Sequence, residues 1–180
     1  MKLNSKILKI KLFYLKYSGK IRKNKGSLDF SSISKSEVNN ILFIFPIKEE
    51  TYRVASYVFR DLIINSDSSH YFIINRIFYS TFAKKGNLYG MNYFKSKDKI
   101  IFDDKIEHDG IFKKKFNVII DLNDEFFYDI ALFLNQLDAD YKVGIRNEYS
   151  DLFYNIQFTI NKSNILENGY KQINQILNNE

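Results

Sequence analysis

The sequence predicts an α/β domain built on a mainly parallel β-sheet, and three observations carry that prediction. Short apolar runs such as "NILFIF" and "FNVIID" show no polar alternation, which marks strands covered on both faces. Between them lie segments with apolar residues three and four apart, the pattern of amphipathic helices. Strand and helix patterns alternate along the chain, the order that builds a parallel sheet through helical crossovers.

Residues 2–18 form the first predicted helix. Leu3, Ile7, Ile10, Tyr14 and Tyr17 fall at three-to-four spacing, with Leu8, Leu12 and Leu15 widening the apolar stripe. Gly19 is its expected stop, and a polar connector follows from Lys20 to Ser36. Asn39–Pro46 reads as a buried strand closed by a proline. A helix then runs through Tyr52, Ala55, Val58, Phe59 and Leu62, with Glu49 and Glu50 complementing the dipole in its first turn. His70–Asn75 is a second strand. The region 76–94 is expected to hold a short helix and an irregular strand, and Asp98–Asp104 a short strand. Phe116–Leu122 is another buried strand, followed by a helix Asp124–Leu137 with Phe127, Ile130, Ala131, Leu134 and Leu137 on one face. Tyr141–Ile145 and Tyr154–Ile160 complete the strands, and an amphipathic helix near Ile165–Leu177 closes the chain. The expected organisation is a basic helix with the start of a connector over 1–25, the rest of the connector over 26–38, and a single domain over 39–180.

The 180 residues, 45% apolar and 17% aromatic, suit one domain with a real core. One proline and seven glycines exclude collagen-like, proline-rich and flexible-linker chains. The absence of cysteine removes disulfides, thiolate metal sites and cysteine nucleophiles together. No apolar window is long enough to cross a membrane, and Lys6, Lys9, Lys11 and Lys16 interrupt what would be a signal-peptide core. The expectation is a cytoplasmic chain, with a peripheral position at a membrane or ribosome open to it.

The net charge of +6 is unevenly placed: residues 1–25 carry nine basic groups and no acid, which leaves −3 on the remainder. Lys6, Lys9, Lys11, Lys16, Lys20, Arg22, Lys23 and Lys25 are therefore the candidate contacts to an anionic partner, RNA or membrane headgroups, with no DNA sequence readout. Tyr14 and Tyr17 could stack on bases. The competing expectation is that the helix packs on the body and its lysines form a solvated flank.

In parallel sheets, ligands bind beyond the carboxyl ends of the strands where strand order reverses. The loop "FPIKEET" contains no glycine and two glutamates, and neither G-x-G-x-x-G nor a P-loop occurs in the chain. A dinucleotide or nucleoside-triphosphate site of those types is excluded, and no cofactor is expected. In "DLNDEF", Asp124 and Glu125 occupy the position an anion would take at a helix N-terminus. Asn123, or Asp121 if the helix starts earlier, is expected to cap that helix. Asp121 is also the candidate hydroxyl-binding or general-base carboxylate. "FDDKIEHDG" gathers acids around His108, but the spacing fits no EF-hand and no metal is expected. Two histidines in the whole chain argue against histidine-based triads, and His70 reads as a strand-boundary residue.

The order "NNILFIFP", helix, "KKFNVIIDLN", helix, "YKVGI" and "DLFYNI" before a last helix resembles the N-terminal Rossmann-like half of glycosyltransferase family 9, the heptosyltransferase-like enzymes of lipopolysaccharide assembly. The resemblance runs from Asn40 to the C-terminus and leaves out the basic helix. A basic leader before a compact domain also resembles small uncharacterised single-domain bacterial proteins. The family resemblance implies a three-layer, Rossmann-like GT-B half. It also implies a donor nucleotide-sugar held largely by a second domain, which this sequence would reach only beyond its end. In the family, a Gly-Asp after the first strand supplies the expected catalytic base. "PIKEET" stands there in this chain, so the role would pass to Glu49 or Glu50. The expectation is a non-catalytic binding or accessory module attached to a partner through its basic helix. The alternatives are a heptosyltransferase-like component needing a second donor-binding chain, and an RNA- or ribosome-associated accessory protein.

Overall fold

The computed structural model describes residues 5–21, 40–60, 69–82, 86–159 and 166–178. The strands are β1 (Asn40–Ile44), β2 (Ser69–Asn75), β3 (Asn87–Phe94), β4 (Lys99–Phe102), β5 (Lys115–Asp121), β6 (Asp138–Ile145) and β7 (Ile156–Phe158). The α-helices are α1 (Ser5–Tyr17), α2 (Glu49–Val58), the single turn α3 (Lys105–His108), α4 (Tyr128–Gln136) and α5 (Leu166–Asn178). All seven strands join one sheet in the order β4-β3-β2-β1-β5-β6-β7, parallel throughout except where β4 runs back along β3. With the antiparallel β4 set aside, this is the doubly wound order, and it reverses between β1 and β5.

Burial follows from β1 itself. Successive side chains of a strand point to opposite faces, and here both faces are apolar. Leu42 and Ile44 enter one core cluster, while Ile41, Phe43 and Phe45 enter the other. On the first face lie α4, through Ile130, Ala131, Phe133 and Leu134, and α1, through Leu12. On the second lie α2, through Tyr52, Ala55 and Val58, and α5, through Tyr170 and Ile173. The result is the expected three-layer, Rossmann-like α/β fold.

Several expectations are corrected. The helix after β5 begins at Tyr128 rather than Asp124, because Asn123 is tied to Ile47, the chain bends at Asp124 and Glu125, and Phe127 is still extended. The strand expected to be irregular is a continuous one, Asn87–Phe94, that pairs with β2 over Asn87–Met91 and with β4 over Met91–Phe94. In α1 the packed face is Leu8, Leu12 and Leu15. The stripe of Ile7, Ile10, Tyr14 and Tyr17 faces solvent instead. β6 starts earlier than Tyr141, and β7 is confined to Ile156–Phe158. The connector at 22–39, with Arg22, Lys23 and Lys25, lies outside the described residues, as do Lys2, Leu3, Leu62 and Ile160.

Candidate functional site

The carboxyl ends of β1, β3, β5 and β6 open on two adjoining hollows. One, of about 550 Å³, is bounded by Ile47, Lys48, Glu49, Glu50, Tyr93, Lys95, Asp98, Glu125 and Phe127. The other, of about 750 Å³, shares Tyr93, Asp98, Glu125 and Phe127 and extends past Lys97, Lys99, Phe126, Tyr128, Asp129 and Tyr149 to Leu8 and Lys11 of α1. Together they form a cleft over the β1/β5 reversal, where the fold class places ligands. Its walls are the loop after β1, the loop after β5, the β3–β4 hairpin and one face of α1.

At the floor of the reversal, the protein bonds to itself. The Asn123 side-chain oxygen accepts from the Ile47 N–H at 3.0 Å, tying the loop after β5 to the loop after β1. The Asn123 backbone N–H and side-chain amide both donate to Asp121 Oδ1, at 3.0 and 2.7 Å. The Tyr154 hydroxyl donates to Asp121 Oδ2 at 2.6 Å. Asp121 is buried, and burial raises its pKa above the usual value of 3.8, against the opposing pull of its hydrogen bonds from Tyr154 and Asn123. Asp121 and Asn123 therefore act as a staple between strand ends. Neither caps α4, whose N-cap residue is Phe127 and makes no side-chain cap.

Above the staple, the charges pair with one another. Lys48 lies 2.6 Å from Glu125 and 3.9 Å from Asp124. Burial pulls its pKa down, but Glu125, Asp124 and Glu50 outweigh that and leave it raised. Glu49 and Glu50 are exposed in the first turn of α2, and Glu49 is bonded by Arg53 one turn on. Across the cleft the Tyr93 hydroxyl donates to Asp98 at 3.0 Å, and burial with the Asp98 charge pushes its pKa up to about 12. Asp129 accepts from the Ile100 N–H at 2.7 Å.

The other candidate residues scatter. Asp103 is taken by Arg76, the Gly90 N–H and Tyr79, and Asp109 by the Tyr89 hydroxyl, so the acids near His108 do not converge. Among the described residues, no cluster of three metal-ligating side chains occurs. His70 is buried near the start of β2, stacked beside Phe43 and Phe72. Lys9 pairs with Glu148 at 2.9 Å, while Lys11 lies over the Tyr128 ring and Lys20 over the Tyr14 ring. Lys16 is exposed in the last turn of α1, and Lys6 lies within that helix. Sequence reasoning missed Tyr93, Asp98, Phe126 and Tyr149 as cleft residues. Their one signal was aromatic and acidic side chains at or beyond the carboxyl ends of strands.

Strand order, helical layers and the position of the cleft define a Rossmann-like, doubly wound α/β protein that resembles one half of a family 9 glycosyltransferase. The solved structures make the likeness particular. The fold is similar to that of the E. coli heptosyltransferase WaaC with ADP, with a TM-score of 0.56 and 14% identity over 76% of this chain and 46% of that one. It is also similar to the E. coli heptosyltransferase WaaC with ADP-2-deoxy-2-fluoro heptose, with a TM-score of 0.50 and 12% identity over 76% and 47% of the two chains. At such identities the likeness is one of fold, and this chain spans about half the length of the heptosyltransferase. No protein-family model matches the sequence, and no curated protein sequence matches it. Among the described residues, no helix is long and apolar enough to cross a membrane.

Proposed function

We propose that the chain is a binding module with the fold of half a glycosyltransferase. In this reading it holds a ligand in the cleft without transferring a group by itself, and it attaches to a partner through α1. The observation that carries the reading is the Lys48–Glu125 ion pair over the β1/β5 reversal. Where a nucleotide-binding fold offers amides and free positive charge to a phosphate, this cleft places at the strand reversal a lysine already neutralised and two glutamates at the start of α2, its other lysines, Lys95, Lys97, Lys99 and Lys11, standing on the β3–β4 and α1 walls. A diphosphate entering there would have to break the pair and lie against carboxylates. An uncharged, hydroxyl-rich ligand suits the surface better, since Glu50 and Glu125 can accept from hydroxyls and Tyr93 and Phe127 offer flat apolar faces.

A lack of catalysis is supported by the state of two of the three candidate acids. Asp121 is sealed under its own hydrogen bonds, and Glu49 is engaged by Arg53 at the exposed rim. The likeness to a heptosyltransferase favours a second reading, a transferase half that works with a separate donor-binding partner. Calorimetric titration of the full chain with nucleotide-diphosphate sugars tests the binding-module reading. That reading expects no saturable heat. A micromolar Kd for any of them would overturn it.

A further inference from the structure

We propose that α1 docks on an anionic lipid bilayer through its outward face, formed by Ile10, Phe13, Tyr14 and Tyr17 with Ile7 beside them. This deepens the attachment part of the proposed function and rests on it. The four residues stand at i, i+3, i+4 and i+7, so they share one helix face. The opposite face is already used, because Leu8, Leu12 and Leu15 pack on the core. What remains outward is apolar and open to solvent, with Ile10 69%, Phe13 62% and Tyr17 74% exposed. Single exposed apolar residues are ordinary; a continuous stripe along the helix is a docking surface.

Charge identifies the occupant. The segment around this stripe carries nine basic groups and no acid, against −3 on the rest of the chain. Lys20 sits 5.5 Å from the Tyr14 ring, which places an ammonium beside an aromatic, as interfacial helices do at headgroup level. RNA would use the lysines but leave Ile7, Ile10 and Phe13 in water. The Phe13 and Tyr17 rings, 4.1 Å apart between centroids, already lie against each other rather than leaving a slot for a base. A second copy of the chain would bring two basic segments together. An anionic bilayer satisfies the charge and the apolar stripe at once. The inner side of α1, with Leu8 and Lys11, lines the cleft. Docking would therefore hold the cleft about 10 Å from the lipid, one helix diameter.

The test is co-sedimentation of the full chain with vesicles of phosphatidylcholine alone and of phosphatidylcholine mixed with phosphatidylglycerol. Binding is expected on the mixed vesicles at low salt and should fall about tenfold or more in Ile10→Asp/Phe13→Asp. Both positions are exposed, so circular dichroism should show that variant folded. Lys16→Gln and Lys20→Gln should each weaken binding about fivefold, the factor for one surface lysine near anionic lipid. The proposal is overturned by binding that survives the double aspartate variant or is equal on both vesicle types. It is equally overturned by retention on RNA alone, or by dimerisation through this face without vesicle binding. These outcomes leave the nucleotide-sugar titration untouched, because that experiment reads the cleft and this one reads the helix.

Discussion

Replacing Asp121 with alanine should remove a large part of the stability of the sheet. Its carboxylate accepts from the Asn123 N–H, the Asn123 amide and the Tyr154 hydroxyl, and both donor residues are buried. Alanine leaves those donors without an acceptor, at about 1–3 kcal/mol each. The total is about 3–9 kcal/mol, against about 5–15 kcal/mol for a typical domain. An asparagine in the same place would behave differently. Its carbonyl can still accept from Asn123, and its amide can donate to the Tyr154 oxygen, so Asp121→Asn should cost under about 1.5 kcal/mol. The acid form adds a pH signature. Burial raises the folded pKa above 3.8, so the folded chain holds this proton more tightly than the unfolded one. The corresponding stability is full below that ordinary value and is lost as pH rises through the folded pKa. Wild type should therefore lose ground against Asp121→Asn as pH rises across that window. Urea unfolding followed by far-UV circular dichroism measures this, since the chain has no tryptophan. An alanine variant within about 1 kcal/mol of wild type would refute the staple. So would an asparagine variant as damaged as the alanine one, and a wild-type advantage that grows with pH would refute the sign of the shift.

Two further outcomes follow from packing. Leu12→Ala should cost about 2–4 kcal/mol in unfolding experiments, because Leu12 is 3% exposed. Ile10→Ala should stay within about 0.5 kcal/mol; the reverse ranking would mean that α1 docks by its other face. Gly144→Ala would place a Cβ 2.7 Å from the Tyr154 ring that bonds Asp121. It should cost about 1–3 kcal/mol, and Asp121→Ala should then cost less in that background than alone, as a double-mutant cycle would show.

The parts of this molecule legible in its sequence are those whose reasons are local. β1 and β5 stand out because nearly every residue faces an apolar layer, and α2 because its period and acidic first turn agree. The candidate site was misread where the reasons are distant. Asn123 looks like a helix cap, yet its oxygen is used 76 residues away on Ile47. Nothing near Tyr154 in sequence marks it as a partner of Asp121. β3 was expected to be irregular and holds Gly90, where an added Cβ would collide with the Asp103 carboxylate and the Tyr79 hydroxyl, so the glycine makes room for that network. In α1 two apolar stripes have equivalent spacing, and spacing alone cannot say which turns inward. The cleft aromatics come from three separate segments, which the fold alone brings together.

The bond from the Ile100 N–H to Asp129 has a consequence for self-association. β4 is the outer strand on its side of the sheet, and an outer strand with open amides is a template onto which another chain can add. Here one of the four residues of β4 already gives its N–H to a carboxylate of α4, and Phe102 is stacked on Phe133 of the same helix. An incoming strand would find this border short and partly claimed. A partner meeting the protein on this side must recognise side chains, because little main chain is left to extend.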